Sequence, residues 1–580
     1  MTRFRALLLL LTVLLAAACS RTADGTHSLT ILTTNDIHGH FFDSTYVSDK
    51  LSKSLFAVSR MVDSVRVADG VDNVLLLDAG DILQGDNAAY YFNYVDTISE
   101  HVYPRMAAYM GYDAIAWGNH DVETGHPVYD RVAAELASHD IPLLAGNAIR
   151  NDGRGTYFPL YTIVRRAGLK VAILGYTNSN ISGWLDEKIW NGMHFVPIMS
   201  KIQDDVDLVR RKEKPDVVIA LMHTATGKAD GSVPEAEGLE VFRSVRGLDF
   251  VVGSHDHKPF TAATDSSVML NTGSHCRFLG RGRISVKVEG GAVVSKEFDE
   301  PRLIRVDAAA VDTAMRAKFH PDYLAVKEFT LREVGELLCD LRTRDAYIGM
   351  SDYINLIHTI QLGCAPAKIS FAAPLTYNGF VKAGTLIYND LFTIYPYENQ
   401  LHVVSMTGKE IRDAMEYSYD KWLAAPGSEH VLQIKPYDDP RTGAKGWSFV
   451  NRSYNFDSVG GLVYTVDVTK PFGSRISIDS LSSGEPFSES ETYPVAMTSY
   501  RANGGGGIIP EGAGLDSVTM EARTVAHYPE IRELLYDYLR ERGTIDPAVT
   551  GDPTVIGSWR FIPDRTAPRA LARDLALLFP

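Results

Sequence analysis

The sequence predicts an α/β layered domain over residues 29–302, followed by a second, mixed domain over 346–562. Three observations carry this. Apolar strand-like runs alternate with amphipathic helix-like runs through the first half. An Asp, Asn or His stands just after several of those strand-like runs. The second half mixes helical patterns with short β runs that are rich in aromatics and Gly. Regular alternation of strand and helix builds sheets covered by helices.

Taken in order, Arg3 and Arg5 precede the apolar stretch Ala6 to Ala18, which is the layout of a signal peptide. Cys19 directly follows Leu15-Ala16-Ala17-Ala18 and resembles the lipid-modified cysteine of a bacterial lipobox. Residues 1–19 are therefore expected to be a lipoprotein signal peptide with lipidation at Cys19. The mature chain would then belong to the bacterial cell envelope, with the lipid anchor as its membrane attachment. Residues 20–28 read as a polar tether. No later segment offers about twenty uninterrupted apolar residues, the length of a membrane-spanning helix. Helices are expected at Leu55 to Val67, Val128 to Ser138 and Ile202 to Lys212, and closing strands across Arg281 to Phe298. Residues 303–345 change character, with helical patterns at Asp312 to Lys318 and Tyr323 to Leu341, and read as a linker. The second domain is expected to carry helices at Asp352 to Leu362, Gly408 to Tyr419 and His527 to Arg542. Residues 563–580 are a weakly patterned tail.

The chain has 580 residues, 45% hydrophobic and 22% charged, an ordinary globular balance with room for several cores. Its net charge is −15 with no long charge blocks, which excludes a duplex nucleic-acid binder with a basic face. A nucleotide-sized anionic substrate stays compatible, because bound metal supplies local positive charge. Beyond Cys19, the cysteines Cys276, Cys339 and Cys364 are odd in number and far apart, so no disulfide framework is readable. Oligomeric state is not readable either.

The ligand-type residues form an ordered set. Asp36-Ile37-His38-Gly39 follows Thr30-Ile31-Leu32, and Gly80-Asp81 follows Val74 to Leu77. Gly118-Asn119-His120-Asp121 follows Ala114 to Ala116, and His223 follows Val217 to Leu221. Gly253-Ser254-His255-Asp256-His257 follows Phe250 to Val252. Asp36 and His38 lie two apart and share a face of extended chain, as do His255 and His257. Alone, an Asp-x-His is usually a turn with a solvated His, and a single His a satisfied core residue. After successive strands, such residues gather at one sheet edge. Together they supply enough O and N donors for two divalent cations, which stabilise the attacking and leaving oxygens of phosphoryl transfer. Mixed His, carboxylate and amide ligation suits Zn, Mn, Fe, Co or Mg.

These motifs, with Asn35 before Asp36 and Asp78-Ala79 before Gly80, resemble the calcineurin-like metallophosphoesterases. The mature chain is similar to the 5′-nucleotidase family, which adds a nucleoside-binding C-terminal domain. That resemblance implies a four-layered α/β/β/α N-terminal domain and an α+β substrate-binding domain. It implies one metal on Asp36, His38, Asp81 and His257, and another on Asp81, Asn119, His223 and His255. His120 would sit by the scissile phosphate, supported by Glu123. Asp121 stands where relatives usually carry Glu. In the second domain, Tyr454, Phe456 and Tyr500 match base-stacking positions, and Asn503, Gly504 and Gly505 match the neighbouring ribose-contact segment.

Two departures refine the expected substrate. Where 5′-nucleotidases carry Asn-Gly-Gly-…-Arg, this chain reads Ser370-Phe371-Ala372-Ala373-Pro374-Leu375. Their Gly-Gly-Asp-Gly clamp is here Gly504 to Gly507, without the Asp. Ala372-Ala373-Pro374, Tyr454-Asn455-Phe456-Asp457, Tyr500-Arg501-Ala502 and Gly80-Asp81-Ile82-Leu83-Gln84-Gly85 resemble the 2′,3′-cyclic-nucleotide 2′-phosphodiesterase/3′-nucleotidase branch, and a missing Asp fits a phosphate on the 2′ or 3′ oxygen. The expectation is an exported, metal-dependent hydrolase of 2′,3′-cyclic nucleotides and 3′-nucleotides, working by in-line attack of a metal-activated hydroxide. The alternatives are a 5′-nucleotidase or nucleotide-sugar hydrolase on the same fold, and a non-catalytic nucleotide-binding surface lipoprotein.

Overall fold

Strand and helix alternate through the first half of the computed structural model, which describes residues 22–228, 230, 235–397, 399–438 and 443–580. The expected signal peptide and Cys19 lie outside the described residues. Two bodies emerge. The N-terminal domain runs to Ser182 and resumes over Glu187–Lys327; the C-terminal domain comprises Gly183–Asp186 and Glu328–Pro580.

The N-terminal domain holds two sheets. In the first, Gly25–Thr34, Val74–Asp78, Ala114–Ala116 and Leu143–Leu144 run parallel, and the antiparallel strands Phe278–Glu289 and Ala292–Phe298 extend it. In the second, Leu169–Tyr176, Val217–Met222, Phe250–Val252 and Val268–Thr272 run parallel, flanked by antiparallel edges. Alternate residues face alternate sides of a strand. Leu75 and Leu77 of the first sheet therefore meet Ile219, Leu221, Phe250 and Val252 of the second in one buried core. The outward face of the second sheet, with Ala172, Leu174, Val218 and Ala220, packs on Ile202, Val206 and Val209 of the helix Ile202–Glu213. Helices Leu55–Asp69 and His126–Ser138 lie against the first sheet. The expected helix, sheet, sheet, helix layering is present.

The expected linker is not a separate segment. Asp312 Oδ1 accepts from the backbone N of Ala314 and Met315, both at 3.0 Å, and caps one helix, Thr313–Leu331, that continues through Pro321. The boundary between the two bodies falls inside this helix. Glu333–Leu337 is then a strand of the C-terminal domain, paired with Gly384–Ile387 and Thr544–Ile545.

In the C-terminal domain the sheet order is Ser458–Gly460, Ile369–Ala372, Thr492–Thr498, Gln400–Thr407 and Thr524–Glu530. A capping box starts the helix Gly408–Trp422: Glu410 N donates to Thr407 Oγ1 at 3.3 Å, and Glu410 Oε2 accepts from Thr407 N at 2.8 Å. The helix expected at His527–Arg542 begins only at Ile531. Pro529 biases the preceding Tyr528 toward extended backbone, and Thr524 to Glu530 pairs with Gln400 to Val404. The expected tail folds as the helix Ala567–Leu578, which seats Leu571 and Leu578 in the core around Trp422 and Phe456. Cys276, Cys339 and Cys364 are free thiols. Among the described residues no helix is long and apolar enough to cross a membrane.

Leu571 is completely buried, so Leu571→Ala leaves a cavity. It is expected to destabilise the C-terminal domain by about 2–5 kcal/mol in urea unfolding. A change under about 0.5 kcal/mol would remove the helix from the domain core.

Candidate metal centre

Each expected ligand follows the C-terminal end of a parallel strand in the N-terminal domain. Asp36 follows Gly25–Thr34, Asp81 follows Val74–Asp78 and Asn119 follows Ala114–Ala116. His223 follows Val217–Met222, and His255 and His257 follow Phe250–Val252. Ligands in open α/β sheets gather at that edge.

The side chains converge as two groups. In one, His38 Nε2 lies 2.9 Å from His257 Nε2, and His257 Nε2 lies 3.4 Å from Asp36 Oδ1. In the other, His223 Nε2 lies 3.0 Å from Asn119 Oδ1 and 3.1 Å from Asp81 Oδ2. His255 completes it, with donor atoms of Asp81, His223 and His255 all within 4.8 Å of one another. Asp81 Oδ2 is buried and makes no well-aligned hydrogen bond, despite the nearby imidazole. A buried carboxylate oxygen 3.1 Å from an imidazole nitrogen, with an amide oxygen beside it, is a donor set that fits a cation.

The backbone is held in an uncommon conformation at these residues. Asp36, His38, Asp81, His255 and His257 have φ of 48°, 50°, 60°, 68° and 57°. Such left-handed, non-glycine positions cluster at functional sites. Hydrogen bonds fix them. Asp36 N donates to Gly80 O at 2.9 Å, His38 N to Asp81 O at 3.0 Å, and His255 N to Asp36 Oδ2 at 3.0 Å. Asn35 links Asp36 Oδ2, at 2.5 Å, to Gly273 O, at 2.7 Å. His223 Nδ1 donates to Ala79 O at 2.8 Å, which leaves Nε2 to face the site.

The imidazoles differ in charge preference. Burial holds His255 down to about 3 and His38 well below its ordinary value, so both present lone pairs. Burial also works against the charged form of His223, but the Asp81 carboxylate and the Ala79 carbonyl outweigh it and raise it to about 9.

His120 lies beside this group, its ring 5.4 Å from that of His38. Its Nδ1 is 2.6 Å from Glu123 Oε2, the orienting contact expected from sequence. Its backbone N donates to Asp81 Oδ1 at 2.8 Å.

Sequence reasoning passed over Asp121, reading it as a tolerated exchange for Glu. Its buried carboxylate accepts from the backbone N of Gly118, Asp81, Ile82 and Leu83 at 2.9, 3.0, 2.8 and 2.9 Å. It therefore ties the Asn119 motif to the Asp81 loop. Gly118 is required for that approach, since a Cβ there would come within 2.2 Å of Asp81 Oδ1.

In the C-terminal domain, one substrate expectation is corrected. Phe456 is completely buried, stacked on Trp422 at 5.6 Å between centroids, and belongs to the core. Tyr454 and Tyr500 are half-buried neighbours, 6.5 Å apart but at 80° to each other. They present a face and an edge rather than two parallel walls, so a base would stack on one ring, gaining about 1–3 kcal/mol. Gly505 packs directly under the Tyr500 ring, where a Cβ would fall within 2.4 Å, and Gly504 takes φ of 94°. Asn503 Nδ2 donates to Trp184 O at 3.1 Å. Arg501 holds both patches. Its guanidinium pairs with Asp457 at 2.7 and 2.8 Å, donates to Tyr454 O at 3.0 Å, and also donates to Gly505 O.

Residues 29–259 match the calcineurin-like phosphoesterase family, and residues 332–511 match the 5′-nucleotidase C-terminal domain. The chain combines a calcineurin-like phosphoesterase domain with a 5′-nucleotidase C-terminal domain. It is 26% identical, over 90% of its length, to the trifunctional nucleotide phosphoesterase protein YfkN of Bacillus subtilis (strain 168), of which it covers 38%. It is 23% identical to the 2′,3′-cyclic-nucleotide 2′-phosphodiesterase/3′-nucleotidase of Haemophilus influenzae, over 92% of its length and 87% of that relative. Its fold is similar to that of a Staphylococcus aureus protein solved in complex with alpha-ketoglutarate, with a TM-score of 0.74, 18% identity, and coverage of 92% and 99% of the two chains.

Asp121→Ala removes the acceptor for the Asp81 loop. It is expected to weaken divalent-metal affinity by about 10–100-fold in a chelator competition titration. Unchanged affinity would show that the loop positions Asp81 without it.

Proposed function

We propose that this chain hydrolyses 2′,3′-cyclic nucleotides and 3′-nucleotides to nucleoside and phosphate at a two-metal centre. The observation that carries the substrate choice is the run Gly504 to Gly507, which carries no Asp of its own beside Tyr500. A carboxylate there would repel a phosphate carried on the ribose 2′ or 3′ oxygen. The named activity of the Haemophilus influenzae relative supports the same reading.

Asp36, His38, Asp81 and His257 would hold one cation, and Asp81, Asn119, His223 and His255 the other. Bound there, the cations supply Lewis-acid charge for phosphate oxygens and lower the pKa of water toward neutrality. In hydrolysis, water oxygen bonds to phosphorus, the bond to the ribose oxygen breaks, and that oxygen takes a proton. His120 is placed to hold that proton or to stabilise the developing charge, with Glu123 fixing its ring through Nδ1. Replacing Glu at position 121 by Asp leaves this pair intact.

The test uses protein dialysed against chelator, reloaded with Mn or Zn, and given 2′,3′-cyclic AMP, 3′-AMP and 5′-AMP, with products read by chromatography. Metal-dependent turnover of the first two, well above that of 5′-AMP, is expected. Dominant 5′-AMP hydrolysis would move the enzyme to the 5′-nucleotidase alternative, and no turnover would favour the binding-protein alternative. His120→Ala is expected to lower kcat about 10²–10⁴-fold while metal content stays constant. Wild-type kcat in that variant would remove His120 from the chemistry.

The sequence around Cys19 supports export and lipid anchoring. Fatty-acid labelling in a bacterial host is expected for the wild type and lost in Cys19→Ser. Equal labelling of the two would overturn the anchor.

A further inference from the structure

A second place in the molecule gathers metal-type donors, away from the centre already described. It lies wholly in the C-terminal domain, on Asp186, His402 and His527. His402 sits on the strand Gln400–Thr407 and His527 on Thr524–Glu530, and the two are direct partners across the antiparallel ladder. Cross-strand partners point to the same face with Cβ atoms about 4.5–5.5 Å apart, close enough for two imidazoles to share one ion. Asp186 comes from the short segment Gly183–Asp186, held in this domain through the hydrogen bond from Asn503 Nδ2 to Trp184 O at 3.1 Å.

The donor atoms form a small triangle. His527 Nδ1 lies 3.1 Å from His402 Nε2 and 3.2 Å from Asp186 Oδ2, and His402 Nε2 lies 3.5 Å from Asp186 Oδ2. Tetrahedral zinc with bonds of about 2.0–2.1 Å separates its ligand atoms by roughly 3.3–3.4 Å, so all three edges match that spacing. The rings cross at 80° with centroids 4.3 Å apart, so they meet edge to face and do not stack. Asp186 and His402 are buried, while His527 is exposed. The buried pair fixes the geometry, and the exposed edge gives an entry path and room for a water as fourth ligand.

We propose that Asp186, His402 and His527 form a third divalent-cation site, selective for borderline transition ions such as Zn(II). Two imidazoles and one carboxylate disfavour Mg and Ca, which prefer all-oxygen shells. The ion would join the two strands to the segment Gly183–Asp186. None of the three residues belongs to the phosphoesterase centre, so the proposal stands apart from the substrate reading.

The test is equilibrium dialysis of the full chain against micromolar Zn(II), with bound zinc counted by elemental analysis. Wild type, His527→Ala and Asp186→Asn would be compared, each shown to be folded by circular dichroism in chelator. His527 is exposed, so its replacement should leave the fold intact even if the buried Asp186 is less tolerant. The expected result is one zinc fewer per chain in His527→Ala, with a matching loss in folded Asp186→Asn. Equal zinc counts in wild type and His527→Ala would overturn the proposal and leave the triad as a hydrogen-bonded cluster. Repeating the dialysis with Mg(II) is expected to show no difference between wild type and variants. A loss of Mg(II) in His527→Ala equal to the loss of zinc would overturn the selectivity.

Discussion

The carboxylate of Asp121 is the contact on which the metal centre depends most. It gathers backbone N–H groups of Gly118, Asp81, Ile82 and Leu83 onto one buried side chain. Asp81 is thereby held with φ of 60°, in a region that costs a non-glycine residue roughly 1–2 kcal/mol. Asp36, His38, His255 and His257 share that conformation. Asp and His tolerate it better than branched residues do. Even so, the set consumes energy comparable to an appreciable part of a domain's marginal stability. The sheets supply what offsets it. Parallel strands end together, their apolar faces are locked in one core, and the loops that follow are short and cross-bonded.

This is why the N-terminal domain was legible. A strand that must bury Leu75 and Leu77 on one side and Val74 and Leu76 on the other reads as an uninterrupted apolar run. The residue just after it is free to be polar. Asp81, His223 and His255 stand out against such runs, and their order along the chain carries their proximity. The bonds that shape the loops were not legible. Asn35 reaching Gly273 and Asp121 reaching Ile82 join distant positions or use backbone atoms, and a string of residue types records neither.

The C-terminal domain shows the opposite case. Phe456 and Tyr454 lie two residues apart in one aromatic and polar segment, and nothing in the sequence says which ring is inside. The short helical turn at Ser453–Asn455 sends Phe456 onto Trp422 and leaves Tyr454 half-buried beside Tyr500. Arg501 explains the arrangement, since its guanidinium grips Asp457 on one patch and Gly505 on the other. The helix Ala567–Leu578 was legible and was passed over: Leu571, Leu575 and Leu578 recur at helical spacing, and that stripe packs on the core around Trp422.

Charge balance ties the metal centre together. Asp36 and Asp81 bring carboxylates to a place with almost no solvent. Burial resists protonation of His38 and His255, so those rings cannot neutralise the carboxylates with protons. His223 is pushed toward the charged form, and the chief favourable partner is the Asp81 carboxylate 3.1 Å away. An isolated anion in such surroundings is expensive, and neutral imidazoles supply lone pairs rather than charge. Divalent cations resolve both demands at once, accepting the lone pairs and balancing the carboxylates. The same balance suits a phosphate ester to a chain of net charge −15, because attraction is confined to the few ångströms around the ions. Recognition then depends on coordination at short range rather than on a long-range field over the protein surface.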